Sequence, residues 1–212
     1  DGSYITALRT GAASGIATKL LSDVNAETVA IFGCGSQGKT QLEAVCNVRP
    51  IKKALLYDNN LDAATKLKNQ MEEELYISIQ VTQDRSLLKQ ADIICTATNS
   101  EKALFNFEHI SKGTHINAIG SYKPQMQELD PAIIKSGRFF VDSREAVLRE
   151  SGDLIKPINE NIFTESVIEA EIGELINKNY EGRKSKDEIT IFKSVGLGVQ
   201  DLFMANAIYE KQ

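Results

Sequence analysis

Gly33, Gly35 and Gly38 stand in the order Gly-x-Gly-x-x-Gly within AIFGCGSQGKTQLEAV, residues 30–45. Glycines at this spacing do chemistry without a reactive side chain, because they clear backbone space for an anion. The first permits a tight turn, the second lets a pyrophosphate approach the backbone, and the third lets a helix pack against the preceding strand. Free N–H groups and the positive end of the helix dipole then face the phosphates. Asp58 ends the next apolar run, 25 residues after Gly33. A carboxylate there accepts hydrogen bonds from ribose hydroxyls and repels a 2′-phosphate. Taken singly, the glycines read as an ordinary turn and Asp58 as a helix cap. Together they predict a dinucleotide site, and Asp58 with no nearby arginine favours NAD over NADP.

These residues need a strand–turn–helix scaffold, and the flanking pattern supplies one. Thr28–Phe32 is a short apolar run ending in glycine, as a buried parallel strand should be. A helix is expected over 37–48, stopped by Pro50, then a strand over 54–57 and a charged amphipathic helix over 61–75. Further strands are read at 77–81, 92–97, 114–119, 138–141 and 189–193, with a short helix capped by Asp84 and a last helix over 200–210. The opening residues 6–21 have helical character. Regular β–α alternation argues for a doubly wound parallel α/β sheet. The fourth strand ends Thr96-Ala97-Thr98-Asn99, and small hydroxyl residues there either face the ligand crevice or begin a turn. The polar stretch YEGRKSKDE, residues 180–188, reads as a mobile loop with solvated charges.

The bulk numbers bound the rest. A chain of 212 residues suffices for one large domain, or for one domain plus a fragment of another. A net charge of −5 leaves no basic footprint for nucleic acid. No apolar stretch approaches the roughly 20 residues that span a bilayer, so no membrane is expected. Three cysteines without a CxxC pair favour a reducing, cytoplasmic setting. Two histidines without ligand spacing predict no metal site. The start at Asp1-Gly2-Ser3 rather than Met reads as a piece of a longer protein.

Four further stretches carry a resemblance: DGSYITALRTGAASGIATKLL, INAIGSYKPQMQELD, VDSREAVLRESGDL and EITIFKSVGLGVQDL. With the glycine turn they resemble the ornithine cyclodeaminase/mu-crystallin family from Asp1 to about Ala207. The resemblance implies a Rossmann domain joined to remnants, as terminal helices, of a substrate and dimerisation domain. It implies a linking helix at 1–25, the cofactor domain at 26–188, and at 189–212 a strand and helix returning to the second domain. A homodimer is implied for the full-length protein. The family's substrate lysine and carboxylate-binding arginine belong to an N-terminal portion this chain lacks.

By resemblance, Arg9 and Thr10 lie near the cofactor phosphates and the substrate, where an arginine suits bidentate anion recognition. Ser36 and Gln37 meet the pyrophosphate, and Asp58 meets the ribose. Thr98 and Ala118, Ile119, Gly120 and Ser121 line the adenine and nicotinamide sides, while Ser194 and Val195 flank nicotinamide and substrate. Two departures matter. Cyclodeaminases carry an acidic residue after the fifth strand, where this chain has Ser121-Tyr122-Lys123-Pro124, and Asp before the Ser-Val-Gly turn, where it has Lys193. A carboxylate at the first position serves acid–base work. Tyr122, with a reference pKa of about 10, cannot replace it near neutral pH. Lys193 is expected to anchor a substrate carboxylate or protonate nitrogen, with a plain solvent lysine as the alternative.

The resulting expectation is an NAD-dependent oxidoreductase acting on a small-molecule substrate, an amino acid or a (cyclic) imine, by hydride transfer at the α-carbon, with Arg9 and Lys193 at the reacting centre. Ornithine cyclodeamination to proline and ammonia is one alternative, and a catalytically silent NAD-binding protein another.

Overall fold

A computed structural model describes residues 1–210. Residues 211 and 212, the end of the expected 189–212 segment, lie outside the described residues. The chain runs α1 (Gly2–Leu21), β1 (Thr28–Phe32), α2 (Ser36–Val48), β2 (Lys53–Tyr57), α3 (Leu61–Leu75) and β3 (Ser78–Val81). A 3-10 turn at Arg85–Gln90 leads to β4 (Ile93–Thr96), β5 (Glu101–Phe105), β6 (His115–Ala118) and β7 (Gln127–Leu129). There follow α4 (Pro131–Ser136), β8 (Arg138–Val141), α5 (Arg144–Glu150), α6 (Gly152–Asn159), β9 (Ile168–Glu171), α7 (Ile172–Ile176), β10 (Thr190–Lys193) and α8 (Gly198–Tyr209).

Eight strands form one sheet in the order β3-β2-β1-β4-β6-β10-β8-β9, and its pairings are parallel. Parallel strands covered on both faces need apolar residues at consecutive positions, which is why the β1, β2 and β4 segments read as unbroken apolar runs. Their alternate side chains separate cleanly by face. Ala30 and Phe32 join one core with Leu88, Leu129, Val147 and Leu154, whereas Val29 and Ile31 join another with Leu42 of α2 and Met71 of α3. On α1, Ala17 and Leu21 pack with Phe140 and Phe192 in a third, smaller cluster.

The close fit of α1 on α2 depends on Gly11, where an added Cβ would sit 2.8 Å from the Thr40 carbonyl oxygen. Buried Arg49 then caps the end of α1, donating to the carbonyls of Thr18 at 2.8 Å and Lys19 at 2.9 Å.

Thr190–Lys193 lies between β6 and β8 inside the main sheet, with all four residues buried. The 180–188 stretch, expected to be a mobile loop, is pinned rather than loose. Arg183 donates to the carbonyls of Leu21 at 2.6 Å, Glu188 at 2.8 Å and Gly113 at 2.9 Å. No helix among the described residues is long and apolar enough to cross a membrane.

Candidate active site

Strand order reverses between β1 and β4, and a crevice opens there at the carboxyl ends of the strands. Its two halves measure about 480 Å³ and about 470 Å³ and share Gly35, Ala97, Thr98 and Asn99, so they form one continuous groove. Asp58 lies in the first half, while Arg9, Tyr122 and the 194–196 turn lie in the second.

The glycine turn is shaped by hard contacts. Gly33 has φ +90°, in the left-handed region, and a Cβ there would meet the Ala97 carbonyl oxygen at 2.4 Å. A Cβ on Gly38 would fall onto the Gly33 carbonyl, which is how the third glycine seats α2 against β1. A Cβ on Gly35 would meet nothing within 4 Å, because that side faces the groove. Gly35 caps α2 without any side-chain hydrogen bond, so the helix N-terminus retains donors for an anion. Asp58 braces the same turn: its Oδ2 accepts from the Cys34 N–H at 2.7 Å and its Oδ1 from the Asn60 N–H at 2.8 Å. Lone pairs remain on both oxygens for ribose hydroxyls. The turn thus fits a dinucleotide.

An arginine does enter this half, contrary to the expectation from sequence. Arg85 lies 4.8 Å from the ring centroids of both Phe32 and Tyr57, which stack at 4.5 Å, and its Nε donates to the Leu104 carbonyl at 3.0 Å. Its guanidinium is thereby committed to the aromatic rings and a backbone carbonyl.

The second half is organised from behind by carboxylates that sequence reasoning did not single out. Glu128, fully buried, accepts from the Thr98 N–H at 2.7 Å, the Thr98 hydroxyl at 2.8 Å, the Thr96 hydroxyl at 2.7 Å and the Gly120 N–H at 2.8 Å. Asp142 accepts through one oxygen from the Ser194 hydroxyl at 2.7 Å and from the N–H groups of Val195 at 3.0 Å and Gly196 at 2.9 Å. Asp153, at the start of α6, accepts from the N–H groups of Glu128 at 2.7 Å and Leu129 at 3.0 Å. Burial pushes the Glu128 carboxyl above its ordinary range, with Lys193 opposing the shift and Asp153 adding to it. The sequence signals only Asp142, the acid that closes the apolar run FFVD at the end of β8, whereas Glu128 in QELD and Asp153 in SGDL stand among polar or small residues.

Lys193 is the largest correction. Its side chain has no solvent exposure and its Nζ sits 3.1 Å from Asp153 Oδ2, itself sealed. The contact is an ion pair by distance, without the alignment of a hydrogen bond. Lys193 therefore does not line the groove, and it is not a solvent lysine either. Ala118 and Ser121 are likewise buried behind the groove. Ala118 belongs to the core, and the Ser121 hydroxyl bridges the Met126 carbonyl and the Asp153 N–H.

Arg9, Thr10, Gly35, Ser36, Gln37, Thr98, Ile119, Gly120, Ser194 and Val195 do come together around the second half, and Gly33 and Asp58 around the first. Arg9 is held by Asp201 at 3.1 Å through Nε and by Gln200 at 3.3 Å through Nη1, with its guanidinium against Gly196.

The model of the ornithine cyclodeaminase/mu-crystallin family matches residues 1–212. The chain belongs to this family. Among its relatives, the Delta(1)-pyrroline-2-carboxylate reductase of Bacillus thuringiensis is 44% identical over 213 residues, covering 100% of this chain and 65% of that protein. The Thermococcus litoralis Delta(1)-pyrroline-2-carboxylate reductase, solved with NADH and L-proline, superposes with a TM-score of 0.96 at 42% identity, over 99% of this chain and 65% of that one. An archaeal alanine dehydrogenase dimer with bound NAD gives a TM-score of 0.92 at 38% identity, over 99% and 65% of the two chains. The chain thus spans 65% of the length of these family members.

Proposed function

We propose that this chain is the cofactor-binding part of an NAD-dependent reductase that converts a cyclic imino acid of the pyrroline-2-carboxylate class to the amino acid. The observation that carries the reading is the continuous groove running from Asp58, across the bare Gly35 face, to Ser194 and Arg9. Its length and polarity suit a dinucleotide laid across the strand ends, and relatives with the same scaffold hold NADH or NAD. The dinucleotide supplies the hydride for the imine carbon.

The chain's own residues bind and orient. The N–H groups at the start of α2 take the pyrophosphate, and Asp58 takes the adenosine ribose and disfavours a 2′-phosphate. Thr98, Gly120 and the 194–196 turn fix the nicotinamide end, and Arg9 meets phosphate or the substrate carboxylate at the mouth. Among the residues lining that end, Arg9 and Tyr122 are the titratable ones. We therefore place the donor of the nitrogen-bound proton outside the described residues. The domain division follows: residues 1–25 link, residues 26–193 build the cofactor sheet, and α8 leads to a substrate and dimerisation domain. The exposed Leu202, Phe203 and Tyr209 of α8 support a homodimer in the full-length protein. Three free cysteines, two of them buried, support a cytoplasmic setting.

The test is an assay of the full-length protein with pyrroline-2-carboxylate and NADH, beside ornithine and NAD. NADH oxidation that depends on the imine is expected. Efficient release of proline and ammonia from ornithine would instead establish the cyclodeaminase reading.

A further inference from the structure

We propose that Glu128 is a positioning residue for the nicotinamide half of the groove, its acceptor-only carboxylate clipping the loops after β4 and β6 into one rigid floor. The inference rests on the NAD reading above for its consequence, and on this chain's geometry alone for the clip. Four donors converge on the carboxylate from two different loops: the Thr98 N–H, the Thr98 hydroxyl and the Thr96 hydroxyl from one, and the Gly120 N–H from the other. A Cβ on Gly120 would lie 2.3 Å from Glu128 Oε1 and 2.4 Å from the Thr98 carbonyl oxygen, so the two loops and the carboxylate are in direct contact. Thr98 lines both halves of the groove and Gly120 lines the second. Glu128 itself has no exposure and touches neither ligand space.

An ionised carboxylate can accept from all four donors, whereas the amide nitrogen of a glutamine cannot accept from an N–H. Two fixed backbone N–H groups, one on each carboxylate oxygen, make that mismatch unavoidable for glutamine. Burial and Asp153 of α6 oppose the Glu128 charge, while Lys193 of β10 and the donors from Thr96 and Thr98 favour it. Asp153 also orients the Glu128 backbone and pairs with Lys193.

The consequence is a difference between two probes. NADH needs both halves of the groove, whereas AMP occupies the Asp58 half. Glu128→Gln should weaken NADH binding about tenfold, the loss of roughly one charge-assisted hydrogen bond, while AMP affinity stays within about twofold of wild type. Glu128→Asp keeps the charge and should lie between. A residue that merely stabilises the fold would change both affinities together or neither.

The experiment titrates the 212-residue chain and both variants with NADH and with AMP by calorimetry, and records amide exchange at Thr98 and Gly120 without cofactor. Selective loss of NADH affinity with faster exchange at these two amides supports the clip. Parallel loss of both ligands, or unchanged NADH affinity, overturns it. If wild type binds neither ligand, the NAD reading fails. The exchange data then decide the clip separately, and unchanged protection in Glu128→Gln overturns it. If Glu128→Gln does not fold, the same comparison on Glu128→Asp decides, and an unchanged NADH-to-AMP ratio there contradicts the proposal.

Discussion

The adenosine and nicotinamide halves of the groove are built by opposite means. The first is local. Gly33 to Gly38, the start of α2 and Asp58 all belong to one β–α–β unit, and Asp58 braces the turn directly through the Cys34 N–H. The second is assembled from distant segments, held from behind by Glu128, Asp142 and Asp153, with Lys193 as buried counter-charge. Local chemistry needs few partners and tolerates solvent. Distant loops must be fastened by groups strong enough to offset their freedom, and buried carboxylates accepting several donors provide that. The expected penalty for damage therefore differs. In the first half it falls on affinity, in the second on the fold as well.

Breaking the buried pair gives the largest effect. Lys193→Ala leaves Asp153 charged and sealed, and should cost about 3–5 kcal/mol of stability in denaturant unfolding. A loss near zero would mean that the buried charges do not organise this half. Next comes Asp142→Ala, which strands the donors of Ser194, Val195 and Gly196. A loss of about 1.5–3 kcal/mol is expected by the same measurement.

The amino-terminal end of β6, away from the groove, also makes the fold acid-sensitive. His115 of β6 is fully buried between Thr190 at 3.0 Å and Asn117 at 3.2 Å, and burial, aided by Arg183, lowers its pKa from 6.5 to about 3. Folded and unfolded chains then differ in protonation between those values. Above the unfolded value the neutral imidazole costs nothing. As pH falls below it the unfolded chain takes up a proton the folded one refuses, so stability declines toward the folded value. The slope should reach about 1.4 kcal/mol per pH unit. Unfolding curves of wild type and His115→Gln across this window should diverge in slope, and parallel curves would contradict the assignment.

The smallest effect on stability belongs to the first half. Asp58→Ala should lower NADH affinity about tenfold, equivalent to about 1.4 kcal/mol, while unfolding less readily shows a change than for Lys193→Ala. The reverse pattern would dissolve the contrast between the halves.

The same contrast explains what the sequence disclosed. The strand–turn–helix and Asp58 follow from periodicity and glycine spacing within one contiguous stretch, so both the sheet class and the first half were legible. Seven main-sheet strands were found, β1, β2 and β4 because they read as unbroken apolar runs and β3 by its alternation, but the edge strand β9 and the separate pair β5 and β7 were not. β7 is three residues, Gln127–Leu129, with an acid at its centre, and β9 alternates polar and apolar residues as Ile-Glu-Ala-Glu. The resemblance gave Lys193 a substrate role through its place before the Ser-Val-Gly turn, and its burial was not legible there. Only the fold reveals that β10 is interior and that α6 brings Asp153 to it. Arg85 entered the Asp58 half by the same kind of distant approach, through aromatic neighbours Phe32 and Tyr57. What spacing cannot show is which distant acid meets which buried donor.

The most direct test of the central claim is calorimetric titration of the 212-residue chain with NADH and with NADPH. The groove should bind NADH, and Asp58 should make NADPH about tenfold weaker or worse, since a charged acceptor that prefers hydroxyls repels a phosphate. Equal affinities, a preference for NADPH, or no heat with either dinucleotide would contradict it.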